Sequence, residues 1–248
     1  MPDKSLLTDP LPLAVVTGAA RRVGRSIALH LANRGYAIGL HYHKSRAEAE
    51  ITANEIRQKT GVPVYLLPAN LTDPDEIKGL FVDVKRIPHQ LKLLVNSAGL
   101  MERSDLATID TESWDALFDL NTRAVWLCSR EAAAQMSQGG VILNISDVGA
   151  GKNWTRYGAY VVSKAAMEAL TRVMARQLAP YVRVCAIAPG LLMRAEDQSV
   201  EDWEHLVEKV PLKRSAEMDE FFLVMDFLIG NQYITGEVIA LSGGYQLL

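Results

Sequence analysis

The chain has 248 residues, of which 49% are hydrophobic and 22% are charged, with a net charge of −3 and a pI of about 6.0. This length is typical of one large α/β domain and is short for two independent ones. The charge balance excludes a basic field for nucleic acid or an anionic membrane, and no run reaches the roughly 20 apolar residues of a membrane span. The two cysteines, Cys128 and Cys185, lie in apolar segments and are expected to be inert thiols in a reducing cytoplasm.

Residues 1–12 contain three prolines and two aspartates, and they are predicted to form a flexible leader. After them, short apolar runs alternate with amphipathic segments of helical length. Strands are predicted at residues 13–17, 36–42, 63–67, 91–96, 141–145, 182–188 and 236–241. Helices are predicted at residues 21–33, 46–59, 74–86, 112–137 and 219–228. A further helix carries Tyr160 and Lys164 and ends at about residue 179. This alternation predicts one doubly wound Rossmann-type α/β domain over residues 13–248, with a parallel seven-stranded sheet and helices on both faces.

A glycine-bearing turn follows the first predicted strand. Gly18 opens the turn and Gly24 lies where the next helix begins. Ligands of such sheets bind beyond the carboxyl ends of the strands, and a helix N-terminus offers free N–H groups to a phosphate. The turn therefore predicts a site for a dinucleotide pyrophosphate, although tight strand–helix turns also require glycine for structural reasons.

The residues at the end of the second predicted strand indicate which dinucleotide the site binds. An NAD-preferring site usually carries an acidic residue about twenty positions after the glycines, but the first acidic residue here is Glu48. Lys44, Ser45 and His43 stand there instead, and Arg22 lies in the glycine turn. Cations and a hydroxyl suit a 2′-phosphate, so NADPH is the expected cofactor; the alternative is a solvated basic loop.

Tyr160 and Lys164 are four residues apart in a predicted helix and therefore share one face. A lysine cation beside the phenol is expected to lower the pKa of Tyr160 and to make it a usable acid near neutral pH. An acid downstream of a dinucleotide turn predicts a hydride-transfer enzyme.

At these residues the chain resembles the short-chain dehydrogenase/reductase family over nearly its whole length. The resemblance implies that Tyr160 is the proton donor, that Lys164 binds the nicotinamide ribose, and that Asn121 holds a water in a proton relay. It also implies a cofactor site formed by Gly18, Arg22, Val23, His43, Lys44, Ser45, Asn70, Leu71, Asn96, Ala98, Gly99, Tyr160, Lys164, Pro189 and Gly190.

Asp147 stands where that family usually has a serine that polarises a carbonyl group. An ionised carboxylate would repel a developing alkoxide, whereas a protonated carboxyl can donate to a ring nitrogen. The substitution therefore favours reduction of a C=N bond over reduction of a ketone. The alternative is that Ser146 takes the usual role after a local shift and that Asp147 is solvated.

Several positions are similar to pteridine reductases, a branch of the family, notably residues 17–26, 40–45 and 209–212 together with Asp147. This resemblance implies NADPH-dependent reduction of a dihydropterin to the tetrahydro form by a homotetramer. Two positions depart from it: Met101 replaces a phenylalanine that stacks on the pterin, and Asn70 replaces an aspartate near the adenine.

Residues 191–214 are polar and are predicted to form a lid with a short helix over the substrate. Trp203 is either a wall of the pocket or the anchor of that helix. The expected contacts of the small heterocyclic substrate are Arg22, Met101, Asp147, Tyr160, Leu191 and Trp203. The five histidines show no metal-ligand spacing, and no metal is expected.

Two other functions compete with this prediction. One is a carbonyl reductase of the same family acting on a ketone or a 3-oxoacyl thioester. The other is an NADPH-binding regulator without turnover, which would have no need of an acid such as Tyr160.

Overall fold

A computed structural model describes residues 11–196 and 198–248 of the chain. Seven parallel strands form one sheet in the order β3-β2-β1-β4-β5-β6-β7. The strands are β1 Leu13–Val16, β2 Ala37–Tyr42, β3 Val64–Pro68, β4 Leu91–Asn96, β5 Gly140–Ile145, β6 Val182–Pro189 and β7 Val238–Leu241. The helices are α1 Arg22–Asn33, α2 Arg46–Thr60, α3 Pro74–Arg86, α4 Thr111–Phe118, α5 Ala124–Ala133, α6 Gly158–Leu178, α7 Val200–Lys209 and α8 Met218–Gly230. The predicted doubly wound fold is confirmed.

The core consists of two apolar layers, one on each face of the sheet. Successive side chains of a strand point to opposite faces, so Leu13 and Val15 of β1 pack into one layer while Ala14 and Val16 pack into the other. Helices α1, α2 and α8 cover the second of these faces, and α3, α5 and α6 cover the first. Burial on both faces explains why the central strands read as continuous apolar runs rather than as alternating ones.

The N-terminal end of the described chain is already part of the domain. The Leu11 carbonyl accepts a hydrogen bond from His89 Nδ1 at 3.1 Å, and the Pro12 carbonyl accepts one from Ala37 N at 2.9 Å. These two residues therefore belong to the domain rather than to the predicted leader, and the remainder of that leader, residues 1–10, lies outside the described residues.

The long helix predicted over residues 112–137 is interrupted. Helix α4 ends at Phe118, a π-helical turn covers Asp119–Arg123, and α5 continues to Ala133. A π turn inserts one extra residue into the hydrogen-bond ladder and occurs frequently at functional sites. Here it contains Asn121, whose side chain turns inward and is 1% exposed.

The predicted lid contains the helix α7, and it is anchored at its C-terminal end. A Cβ atom at Gly243 would lie 2.8 Å from Val210 Cγ1, and one at Gly244 would lie 2.9 Å from Pro211 Cγ. Both glycines have positive φ angles of 59° and 89°, a conformation that glycine adopts without steric cost. The two glycines therefore allow the C-terminal end of the predicted lid to pack closely against the backbone. Within the described part of the chain, no helix is long and apolar enough to cross a membrane.

Candidate active site

Asp147 and Tyr160 meet beyond the carboxyl end of β5. Asp147 follows the strand, and Tyr160 lies in the first turn of α6. The Tyr160 hydroxyl donates to Asp147 Oδ2 at 2.8 Å, and Gly149 N donates to Asp147 Oδ1 at 2.6 Å. The carboxyl group is thus turned into the domain and aligned with the phenol, as the C=N interpretation requires.

Burial sets the protonation of this pair. Burial raises the pKa of Asp147, while the bonds from Gly149 and Tyr160 and the charge of Lys164 oppose the rise. The pKa of Tyr160 lies well above its usual value because of burial and because the Asp147 carboxylate disfavours a phenolate beside it. The expected lowering of the Tyr160 pKa by Lys164 is therefore wrong for this state of the site, since the neighbouring carboxylate and burial outweigh the ammonium. Tyr160 is a neutral phenol at pH 7.

Lys164 lies behind the tyrosine. Its Nζ is 6.0 Å from the centre of the Tyr160 ring and donates to the Ile145 carbonyl at 2.8 Å. Burial lowers the pKa of Lys164 to about 8, against the attraction of Asp147 and Glu168. The side chain therefore remains mostly charged at neutral pH and supplies a buried cation next to the pair.

Asn121 reaches the same region from the π turn. Its Oδ1 accepts from Leu100 N at 2.9 Å, and its Nδ2 donates to the Leu100 carbonyl at 2.8 Å and to Ser163 Oγ at 3.0 Å. The side-chain amide is committed to these protein partners. It therefore fixes the loop after β4 and the helix that carries Tyr160, and its role with a relay water stays a prediction.

Ser146 does not take the place of the missing serine. Its Oγ donates to Glu168 Oε1 at 2.8 Å, and its backbone N donates to the Ile187 carbonyl at 2.7 Å. Neighbouring residues of an extended segment face opposite sides, so Asp147 alone of these two points to Tyr160. The alternative of a local shift is not supported.

The glycine turn fits a dinucleotide. A Cβ atom at Gly24 would lie 2.2 Å from the Gly18 carbonyl, and one at Gly18 would lie 3.0 Å from Ala98 Cα. The backbone therefore closes against itself and against the loop after β4, leaving the start of α1, with Val23 in its first turn, at the edge of the sheet. Gly99 also allows a close approach of side chains, because a Cβ atom there would lie 3.3 Å from Asn121 Oδ1 and 3.5 Å from Lys164 Nζ.

The predicted 2′-phosphate residues stand together at the end of β2. His43 and Lys44 are exposed, and Ser45 is the residue that precedes the first turn of α2. A helix N-terminus and a lysine both attract a phosphate. These residues can hold the 2′-phosphate of NADPH, and Glu48 is the first acidic side chain near them.

Arg22 connects the glycine turn to the lid. It is in the left-handed region with a φ of 54°, which is uncommon for a residue with a side chain. Its guanidinium donates to the Arg194 carbonyl at 3.2 Å and to the Met193 carbonyl at 3.4 Å. The predicted lid thus begins next to the turn where the cofactor phosphate is expected.

Other predicted cofactor residues support the site through the protein. The Asn96 amide donates to Ser129 Oγ at 3.1 Å and to Asn144 Oδ1 at 2.8 Å, so it ties β4 to α5 and β5. Ala98 N donates to Thr17 Oγ1 at 3.0 Å, which joins the loops after β1 and β4. Gly190 N donates to the Leu241 carbonyl at 2.8 Å, one residue after Pro189 ends β6.

Asn70 and Leu71 lie after β3, where the adenine of the cofactor is expected. Asn70 Oδ1 accepts from Thr72 N at 3.1 Å and from Thr72 Oγ1 at 2.9 Å, so the side chain shapes its own turn. Leu71 is buried in the core layer that contains α3.

The predicted substrate residues are placed unequally. Leu191 packs on a small apolar cluster with Val148 and Tyr245, next to Asp147. Trp203 is half-buried in α7, a helix without a fully buried residue. Met101 is 48% exposed on the loop after β4, so no close packing fixes it against the catalytic pair.

Two features were missed in the sequence. The imidazole of His41 accepts a hydrogen bond from Gly18 N, and Gly149 N donates to Asp147. Only His41 had a visible signal, as a polar residue inside the apolar strand β2. Across residues 11–196 and 198–248, no group of three or more His, Cys, Asp or Glu side chains forms a candidate metal site.

Comparisons with known proteins identify the family of the chain. Residues 18–246 match the profile of the family described as enoyl-(acyl carrier protein) reductase. The chain is 34% identical over 238 residues to the 3-oxoacyl-[acyl-carrier-protein] reductase FabG of Staphylococcus aureus, covering 93% of this chain and 96% of that protein.

Solved structures show the same architecture with a dinucleotide bound. FolM alternative dihydrofolate reductase 1 from Brucella canis, complexed with NADP, superposes with a TM-score of 0.90 at 33% identity, covering 96% of this chain and 94% of that one. The corresponding protein from Brucella suis, also with NADP, has the same TM-score and identity. With its Rossmann sheet, its glycine turn and its Tyr160–Lys164 pair, the chain belongs to the short-chain dehydrogenase/reductase family.

Proposed function

We propose that the protein is an NADPH-dependent pteridine reductase that converts a dihydropterin to a tetrahydropterin. The observation that carries the proposal is the 2.8 Å hydrogen bond between the Tyr160 hydroxyl and the partly buried Asp147 carboxyl. A ketone reductase needs a neutral hydroxyl donor at position 147, whereas a C=N reductase needs a group that delivers a proton to nitrogen. The similarity to FolM alternative dihydrofolate reductase 1 supports the same substrate class.

The chemistry divides between the cofactor and the side chains. The nicotinamide, when bound, supplies the hydride to a ring carbon. Asp147, whose pKa burial raises, donates a proton to the adjacent ring nitrogen. Tyr160 then returns a proton to Asp147 through their hydrogen bond, and the Lys164 cation stabilises the negative charge that remains on the pair. Hydride and proton together saturate one C=N bond.

The assembly and compartment belong to the same proposal. We expect a homotetramer in the cytoplasm. Molar mass measured by light scattering tests the tetramer.

Burial raises the pKa of Cys128 to about 12 and also raises that of Cys185, so neither thiol is a nucleophile at physiological pH.

The test of the function is a panel of substrates followed by NADPH absorbance. We expect 7,8-dihydropterins to be reduced with a kcat/KM at least about tenfold above that for quinones and simple ketones, which corresponds to about 1.4 kcal/mol of transition-state binding. Dihydrofolate belongs in the panel because the side chain that the pocket accepts is not determined by the catalytic pair.

A second candidate function has its own support. The 34% identity to 3-oxoacyl-[acyl-carrier-protein] reductase of Staphylococcus aureus favours reduction of a 3-oxoacyl thioester. Acetoacetyl-thioester turnover above dihydropterin turnover in the panel would establish this function and exclude the first. The third possibility, a regulator without turnover, requires that no member of the panel is reduced.

The cofactor preference can be tested independently of the substrate. We expect NADPH to bind at least about tenfold more tightly than NADH, because Lys44 and the N-terminus of α2 stabilise a 2′-phosphate. Lys44→Ala should weaken NADPH binding by about tenfold and leave NADH binding unchanged. Lys85→Ala, an exposed lysine of α3, is the matched control. Equal binding of the two cofactors by the unmodified protein would contradict the assignment.

A further inference from the structure

His41 is a buried histidine that the proposed reaction does not use. It lies in β2, it is 2% exposed, and burial lowers its pKa to about 4, so the imidazole is neutral at physiological pH. A buried polar side chain in a central strand is costly unless its hydrogen bonds are satisfied. Both ring nitrogens of His41 are satisfied.

The two partners determine the tautomer. Gly18 N can only donate, so Nδ1, at 3.0 Å from it, is the unprotonated acceptor. The Ala69 carbonyl can only accept, so Nε2, at 3.0 Å from it, carries the proton. One neutral imidazole therefore bridges a donor and an acceptor on two separate loops.

Those two loops flank the expected adenosine half of the cofactor. Strand β2 lies between β1 and β3 in the sheet. The glycine turn follows β1, and Ala69 and Asn70 follow β3. Backbone bonds reinforce the arrangement, because Ala19 N donates to the His41 carbonyl at 2.8 Å and Ala69 N donates to the Tyr42 carbonyl at 3.1 Å.

We propose that His41 is a positioning residue for the dinucleotide, which holds the glycine turn and the segment after β3 at the separation that the adenosine 2′-phosphate half requires. Gly18 N and Ala19 N are both bonded to His41, so neither is available to the pyrophosphate. The phosphates are therefore left to the N–H groups of the first turn of α1, which have no partner within the helix. This inference rests on NADP(H) binding and does not depend on which substrate is reduced.

The amide side chains provide matched variants. Asparagine places its Oδ1 near the position of Nδ1 and can accept from Gly18 N, but it does not reach Ala69. Glutamine places its Nε2 near the position of the ring Nε2 and can donate to the Ala69 carbonyl, but it leaves Gly18 N unpaired. Phenylalanine fills the space and makes neither bond.

The experiment measures binding of adenosine 2′,5′-bisphosphate, a probe of the adenosine half alone, and of NADPH, by calorimetry and fluorescence at pH 7.5. We expect His41→Gln and His41→Phe to raise the dissociation constant of both ligands by about tenfold or more, and His41→Asn to raise it less. Thermal unfolding and circular dichroism confirm that each variant is folded at the temperature of the measurement. With any substrate that the unmodified protein reduces, kcat at saturating NADPH should stay within about twofold.

Several outcomes would overturn the inference. Unchanged binding of adenosine 2′,5′-bisphosphate by folded His41→Gln and His41→Phe would show that the imidazole serves only the core. Loss of folding in both amide variants would show the same. Failure of the unmodified protein to reduce dihydropterins would refute the proposed function and leave this test intact, since it reads binding rather than turnover.

Discussion

Replacing Tyr160 with phenylalanine is expected to remove almost all turnover while NADPH binding stays close to normal. The hydroxyl is the group that exchanges a proton with Asp147 at 2.8 Å, whereas the ring packs in a small apolar cluster with Leu117 and Ala159. Phenylalanine preserves that packing and removes only the hydroxyl group, which carries the proton. Loss of a positioned acid costs about 10² to 10⁴ in rate. Stopped-flow measurement of NADPH oxidation separates this loss from any change in binding.

Tyr157→Phe is the matched control for this substitution. Tyr157 lies three residues earlier, and its hydroxyl accepts from Arg103 Nε at 3.2 Å outside the catalytic pair. We expect that variant to keep turnover within about threefold. Turnover near that of the unmodified protein in Tyr160→Phe would exclude this tyrosine as the acid, and an equal loss in both variants would point to a general disturbance of the helix.

Replacing Asp147 is expected to have the second largest effect. Asp147→Ser removes the carboxyl that protonates nitrogen and restores the residue usual in the family, so dihydropterin reduction should fall by about 10² or more. Reduction of a ketone should fall less or rise, because a neutral hydroxyl donor now faces the substrate. The ratio of the two rates, measured with the same enzyme sample, is the diagnostic quantity. Ser146→Ala, at the neighbouring residue that bonds to Glu168, should change neither rate by more than about threefold.

The same position is expected to show a conflict between stability and activity. Burial raises the pKa of Asp147 in the folded state, so the folded protein binds a proton more tightly than the unfolded chain. Stability is therefore lost as the pH rises from the unfolded pKa of about 4 through the folded one. Asp147→Asn should unfold at a higher temperature than the unmodified protein at pH 7, with a difference that shrinks towards pH 4. An unchanged or lower unfolding temperature at pH 7 would show that the carboxylate is fully compensated.

Local signals in the sequence were sufficient for much of the fold. Helix α3 has the predicted bounds because Asp73 caps its first turn by accepting from Asp75 N and Glu76 N, and Pro74 begins it. Strand β4 also has the predicted bounds. The π turn could not be predicted, since hydrophobic periodicity is similar with and without it and the bonds between Asn121 and Leu100 arise only in the folded chain.

The candidate site was predictable in its members and less so in its electrostatics. Tyr160, Lys164 and Asp147 follow from spacing and from resemblance, and the structure brings them together. The Tyr160 pKa is raised first by burial and then by the Asp147 carboxyl, whose Oδ2 lies 2.8 Å from the hydroxyl, while Lys164 Nζ lies 6.0 Å from the centre of the ring. Sequence spacing does not contain these distances. His41 required knowledge of the strand order, because its two partners lie 23 and 28 residues away along the chain.

The wide turn at Asp119–Arg123 has a consequence for how the length of this chain can vary. Each residue of an α-helix advances the rotation by about 100°, so deleting one residue there would regularise the helix and swing one flank around its axis. Either Asn121 would leave Leu100 and Ser163, or α5 would lose its register against α3. Surface loops absorb gains and losses of residues readily. The sequence predicts an uninterrupted helix here. The number of residues between α4 and α5 is nevertheless as constrained as the identity of any side chain.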